Sequence, residues 1–340
     1  MRIRDGVLPL LVSLGVLGSP RAVAQDLEIV GAGATFPQPL YSKWFAEYRE
    51  DHPNVAFQYQ PIGSGSGVKK LTSHSVFFAA SDAPLTPAQM EEAGGGILHF
   101  PTTIGAVVVI YNVAQAPSEL RLSPAVLADI FLGTVSKWND PRIQALNKNA
   151  TLPDLDIKVV HRSDASGTTF IFTDYLSKVS RSFASRVGSG TSVKWPMGFG
   201  RGGSEPVASS VAESPGSIGY VELSYANEHR LRFAALQNAA GEFVNASLKS
   251  LDEAAAGETM PNDFRVSITN PRSPRAYPIA SFTWLLVDSH SQDKARTKAL
   301  SDFLSWALTV GQKYCVPLGY APLPESVAKA EIAALNKLRP

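Results

Sequence analysis

Cysteine is almost missing from this sequence: the 340 residues include one, Cys315, so no internal disulfide can form and a large apolar core has to carry stability. Cys315 follows an apolar helical run and is expected to pack as a small hydrophobe. A charge excess is missing too, with 31 Lys and Arg against 30 Asp and Glu. A protein that binds a polyanion shows a basic excess or stripe, so nucleic acid is not an expected partner. The 6 His are scattered with no close pair, so no metal site is expected. An anion bound here has to be small, held by local dipoles and very few charges. Long hydrophobic runs are also lacking. The stretch from Val7 to Gly18 is too short to span a bilayer, and no later run is long and apolar enough to do so.

What that first stretch does have is Arg2 and Arg4 before it and Ala22-Val23-Ala24 after it, the pattern of a cleavable secretory signal peptide over 1–24. An exported, soluble mature chain is then expected to begin near Gln25. No cysteine directly follows the cleavage site, so a lipid anchor there is not expected. Without the leader the chain carries 28 basic and 29 acidic residues, a formal net charge of −1. The apolar fraction of 44% indicates a globular protein, and the length favours two lobes.

The rest of the chain is organised around Arg162-Ser163-Asp164-Ala165-Ser166-Gly167-Thr168-Thr169-Phe170. It follows the apolar alternation Ile157 to His161 and precedes a helical pattern, so it reads as strand, polar turn and helix start. A helix start leaves backbone N–H groups unpaired, and small hydroxyl residues with a glycine let an oxyanion come close. Arg162 adds a permanent forked charge, and Asp164 is placed to hold that fork in one orientation. Alone, the stretch fits equally an ordinary capped helix with a surface Arg–Asp pair.

Two further turns have the same character. Leu27 to Val30 reads as a strand running into Gly31-Ala32-Gly33-Ala34-Thr35-Phe36-Pro37, after which Leu40, Trp44, Phe45 and Tyr48 recur at helical spacing. The turn delivers Thr35 and Phe36 to a helix start, and Phe36 in place of a third glycine argues against a dinucleotide fingerprint. Val55, Phe57 and Tyr59 alternate as a strand before Gly63-Ser64-Gly65-Ser66-Gly67, which lacks the Gly-Lys-Ser/Thr ending of a phosphate loop for nucleotides. No cofactor is expected. Phe77 to Ser81 is an apolar run that ends in Asp82. All three segments place their polar residues at the carboxyl edge of a parallel sheet. Continuous apolarity from Ala106 to Ile110 suggests a strand buried on both faces, and strands alternating with helices imply α/β architecture with parallel sheets. Ile97 to Phe100 and Ile104 to Tyr111 read as separate strands, and Ser291 to Val310 as a helix.

Thr35, Phe36, Ser64, Asp82 and Arg162 to Thr168 together combine helix starts, hydroxyl donors, one Arg and one carboxylate. The carboxylate would repel a fully ionised ligand. Phosphate near neutral pH keeps a proton and can donate it in a hydrogen bond to Asp82, whereas sulfate cannot. A secreted serine hydrolase using Ser166 or Ser66 is the main alternative, but Ser166 lacks the Gly-x-Ser-x-Gly elbow and Ser66-x-x-Lys69 lacks its companion motifs. A binding protein for sulfate, molybdate or a phosphonate is the other, and Asp82 speaks against it.

Those turns, with Ala80-Ser81-Asp82-Ala83-Pro84-Leu85, Lys137-Trp138-Asn139-Asp140, Val193-Lys194-Trp195-Pro196 and Gly216-Ser217-Ile218-Gly219-Tyr220, closely resemble the periplasmic phosphate-binding proteins of Pst-type ABC transporters, of the type II periplasmic binding protein family. The resemblance covers essentially the whole mature chain. It implies a two-lobed α/β fold with two crossover segments and a ligand cleft between the lobes, lobe I being 25–103 and 274–340 and lobe II 104–273. It implies no catalysis, a periplasmic location, a monomer, inorganic phosphate as ligand, and a membrane ABC permease with its ATPase as partner. By the same resemblance Thr35, Phe36 through its amide, Ser64 and Asp82 bind phosphate from one lobe. Arg162, Ser166, Gly167 and Thr168 bind it from the other, with Asp164 steadying Arg162 and a role for Ser66 left open.

Overall fold

The computed structural model describes residues 26–338. The leader expected over 1–24 lies outside the described residues. Twelve strands are found among them: β1 (Leu27–Gly33), β2 (Val55–Gln60), β3 (Phe78–Ser81), β4 (Ile97–Tyr111), β5 (Arg121–Leu122), β6 (Lys158–Arg162), β7 (Phe199–Arg201), β8 (Ser217–Glu222), β9 (Arg232–Phe233), β10 (Ala235–Gln237), β11 (Phe243–Val244) and β12 (Ala280–Asp288). Nine of them form one sheet in the order β2-β1-β3-β12-β4-β8-β6-β7, with β9 also on β4, while β11-β10-β5 form a small second sheet. No helix among the described residues is long and apolar enough to cross a membrane.

The expected α/β architecture is found, but the parallel-sheet expectation holds only at the two ends. β1 pairs in parallel with β2 and β3, and β6 with β7 and β8. The centre is antiparallel, because β12 returns late in the sequence to lie between β3 and β4, and β8 runs against β4. Burial on both faces therefore reflects helical cover of a mixed sheet, not parallel pairing. β4 is one continuous strand where two were expected. Residues Ile97 to Ala106 pair with β12 and Val107 to Tyr111 with β8, so this strand runs through both halves of the sheet.

Pro101, which has no N–H to give the ladder, is accommodated by a bulge: Trp284 faces Pro101 and Thr283 faces Thr103, leaving Thr102 as the extra residue. Thr102 Oγ1 donates to the Thr283 carbonyl at 3.1 Å and shares a proton with the Tyr41 hydroxyl at 2.9 Å.

The helix Gln38–Asp51 buries Leu40, Tyr41, Trp44 and Tyr48 against the first half of the sheet, while Phe45 is half-buried. Trp44 Nε1 donates to the Gly311 carbonyl at 2.7 Å. The helix expected over Ser291 to Val310 is shorter, Lys294–Ala307, with Ala299 and Phe303 buried and Trp306 half-exposed. Asp293 caps its start by accepting from the Arg296 amide. Cys315 is fully buried, as expected for a packed hydrophobe.

Candidate functional site

The parallel ends of the sheet aim their carboxyl edges at one place. β1 leads into Thr35 and Phe36 before the helix Gln38–Asp51, β2 into Ser64 at the first position of the helix Ser64–Thr72, and β3 into Asp82. From the other half, β6 ends at Arg162 and the loop after it enters the helix Gly167–Val179. Thr35, Phe36, Ser64, Asp82, Arg162, Ser166, Gly167 and Thr168 are all buried.

Arg162 organises its half. Nε and Nη2 form a fork with the two carboxylate oxygens of Asp164 at 2.7 and 2.5 Å. The Gly203 amide donates to Asp164 Oδ1 at 3.0 Å. Burial pushes Asp164 up, but the Arg162 guanidinium and this amide together hold it below the usual carboxylate range. The remaining nitrogen, Nη1, donates to Thr35 Oγ1 at 3.2 Å, Ser204 Oγ at 3.1 Å and Thr168 Oγ1 at 3.5 Å. The backbone amide of Arg162 donates to the Tyr220 hydroxyl at 3.2 Å, which also shares a proton with Thr169 Oγ1 at 2.7 Å. Arg162 is thus fixed at both ends before it meets any ligand.

Ser166 caps the helix Gly167–Val179 by accepting from the Thr169 amide at 3.1 Å. A capping hydroxyl uses its oxygen and keeps its hydrogen free to donate. The amides of Gly167 and Thr168, at the first turn, have no intrahelical acceptor. The Thr35 carbonyl, on the facing half, accepts from the Tyr225 hydroxyl at 2.6 Å. In a trans peptide plane this leaves the Phe36 N–H on the opposite side, away from Tyr225. The Tyr320 hydroxyl similarly ties the Phe36 carbonyl at 2.6 Å.

Asp82 is the centre of the other half. Its amide donates to Ser64 Oγ at 3.2 Å, and its Oδ1 accepts from Thr283 Oγ1 at 2.7 Å. Oδ2 is buried with no partner among the described residues. Burial pushes the carboxyl up to about 7, against the opposing pull of Thr283, Arg162 and Ser64. Asp82 is not a helix cap; Thr86 caps the next helix instead.

The two halves meet closely around these groups. A Cβ on Gly167 would lie 2.3 Å from Ser64 Oγ and 2.5 Å from Asp82 Oδ2, and one on Gly63, whose φ is +91°, would lie 2.5 Å from Asp164 Oδ2. Glycine at both positions permits that approach. The Gly65 amide also donates to the Ala165 carbonyl at 2.9 Å.

Ser66 lies within the helix Ser64–Thr72, half-buried, and Lys69 is exposed. Among the described residues no His side chain bonds to Ser66 or Ser166: His161 Nδ1 is 3.0 Å from the Arg162 carbonyl, and its ring stacks on Trp195. No serine–histidine pair is therefore formed at either residue among the described residues. Reading the sequence missed Thr283, Ser204, Tyr220, Tyr225 and Tyr320. A hydroxyl in the middle of the apolar run Ile279 to Val287 was a signal for Thr283, and a serine after Gly202-Gly203 at a helix start was one for Ser204. The tyrosines had no local signal.

A family model described as a PBP superfamily domain matches residues 18–310. The chain is 45% identical over 308 residues to the phosphate-binding protein PstS of Xylella fastidiosa strain 9a5c, covering 90% of this chain and 84% of the relative. It is 43% identical to the phosphate-binding protein PstS of Pasteurella multocida, covering 92% of each. A crystal structure of a phosphate ABC transporter substrate-binding protein from Clostridium perfringens, with bound phosphate, superposes with a TM-score of 0.64 at 16% identity, covering 87% of this chain and 100% of that one. At that identity the superposition bears on the fold.

Proposed function

The chain belongs to the PBP superfamily and, within it, to the family of the PstS phosphate-binding proteins, and on that basis we propose how its site works. It binds inorganic phosphate between two lobes and delivers it to an ABC-type import permease, with Thr35, the Phe36 amide, Ser64 and Asp82 on one side of the anion and Arg162, Ser166, Gly167 and Thr168 on the other. The lobes are 25–103 with 274–340, and 104–273; the change of partner along β4 between Ala106 and Val107 supports a division near there. Closure of the lobes buries the anion, and the closed form docks on the permease and its ATPase.

The observation that carries this reading is Asp82 Oδ2, a buried carboxylate oxygen without a partner among the described residues, beside the start of the helix Gly167–Val179. An otherwise donor-lined anion site with one acceptor selects an anion that carries a proton. The site binds without turning its ligand over, a reading supported by the lack of a histidine bonded to Ser166 or Ser66 among the described residues. The near balance of charge supports a small-anion ligand over nucleic acid. The leader over 1–24 exports the protein to the periplasm, where it acts as a monomer.

Calorimetric titration of the phosphate-stripped protein tests the reading. Tight one-to-one phosphate binding with no sulfate response is expected at neutral pH. A folded protein that gives no heat with phosphate would overturn it.

A further inference from the structure

Ser204 opens the helix Ser204–Glu213 and is buried, with its Oγ 2.7 Å from Thr35 Oγ1. Both hydroxyls receive Arg162 Nη1, at 3.1 and 3.2 Å, so three polar groups close a triangle. Thr35 follows β1, whereas Ser204 and Arg162 belong to the β6–β7 side. Two edges of the triangle therefore bridge the halves of the molecule.

Counting hydrogens decides what the triangle does. Arg162 can only donate, and each hydroxyl has one hydrogen and two acceptor lone pairs. Between Thr35 and Ser204 one hydroxyl must donate to the other. When Ser204 donates, both lone pairs of Thr35 Oγ1 are occupied and its own hydrogen is left to point at a ligand. The reverse arrangement turns a Thr35 lone pair outward, which a bound anion repels. We infer that Ser204 is a positioning residue for phosphate: its hydroxyl fixes Thr35 as a donor to the anion and latches the closed lobes, so that it governs release more than capture. This rests on the phosphate-binding reading above.

The latch exists only when the halves are together, so its loss is expected in the dissociation rate. Purified mature protein is loaded with radiolabelled inorganic phosphate and its release is followed by rapid filtration into excess unlabelled phosphate. Ser204→Ala is expected to release phosphate about tenfold faster, the scale of a hydrogen bond to a charged cluster, with an association rate close to that of the unmodified protein. Ser204→Thr, which keeps the hydroxyl, is expected to restore slow release. Thr35→Val removes the group that Ser204 positions, so adding Ser204→Ala to it is expected to change release little.

Retention of phosphate by the unmodified protein with unaltered release from Ser204→Ala overturns the inference alone. So does an undiminished tenfold effect in the Thr35→Val background. Should Ser204→Ala not fold, fast release from a folded Ser204→Thr would equally overturn it. No phosphate retained by the unmodified protein overturns the functional reading and this inference with it.

Discussion

Thr283 Oγ1 donates to Asp82 Oδ1 at 2.7 Å across the β3–β12 pair. One carboxylate oxygen is thereby committed to the protein, and Oδ2 is the one left beside Gly167. The bulge opposite Pro101 sets the register that aligns Thr283 with Thr103. A backbone irregularity in the central strands therefore lies next to the group proposed to read the ligand's proton.

Asp82→Asn keeps the size of the side chain and the bond from Thr283 but presents an N–H in place of Oδ2. Selectivity is expected to fall, with the preference for phosphate over sulfate dropping at least about tenfold. Calorimetry with both anions checks it; unchanged rejection of sulfate would place the selectivity elsewhere.

Gly167→Ala puts a methyl group where Ser64 Oγ and Asp82 Oδ2 now lie. The clash is with the facing half, so folding of each half is expected to survive while closure is hindered. Phosphate affinity is expected to fall about 10- to 100-fold, the scale of overpacking a tight contact. Titration, with small-angle scattering to detect compaction on adding phosphate, separates lost closure from lost fold.

Arg162→Lys retains a positive charge but cannot fork onto Asp164 while reaching Thr35, Ser204 and Thr168. Phosphate binding is expected to weaken about 100-fold, with part of the loss coming from Asp164 left imperfectly paired. Affinity within threefold of the unmodified protein would show that charge alone suffices.

The unliganded protein is expected to lose stability as pH rises from 5 to 8. Burial raises Asp82 from 3.8 to about 7 and Glu222 from 4.5 to about 8, and pushes Glu331 up as well. An acid whose folded value lies above its unfolded one holds its proton longer in the folded state. Its ionisation then favours unfolding at up to about 1.4 kcal/mol per pH unit, from the unfolded value to the folded one. Asp164 is shifted down, so its contribution is lost in more acidic solution, outside this window. Burial lowers His99 from 6.5 to about 4, and His161 as well, which stabilises the fold as pH rises towards 6.5 and makes the fall shallower below that pH without reversing it. Denaturant unfolding across the range checks the slope, and Glu222→Gln is expected to flatten it. A stability that is level or rising from pH 5 to 8 would contradict burial of these carboxyls in protonated form.

Much of the site was legible because its signals are local. A strand followed by a small, polar turn and a helical apolar stripe marks Thr35, Ser64 and the Arg162 to Thr168 stretch within a few residues, and the spacing of Arg162 and Asp164 permits their fork. Asp82 was legible as the odd carboxylate at the end of the apolar strand β3. The chemistry of those residue types, with charges that nearly cancel, was enough to point to a small anion bearing a proton.

Strand pairing is decided by distant partners, which no periodicity records. Alternating apolar residues mark a strand but not its neighbour or direction, so the insertion of β12 between β3 and β4, the antiparallel centre and the single long β4 emerged only from the folded chain. The same is true of Thr283, Ser204 and the tyrosines that fix the Thr35 and Phe36 carbonyls. Sequence alone determined which residue types stand at the helix starts and strand ends. Tertiary structure decided which oxygen of Asp82 is free and which hydroxyls meet Arg162, because those contacts join segments far apart in the chain.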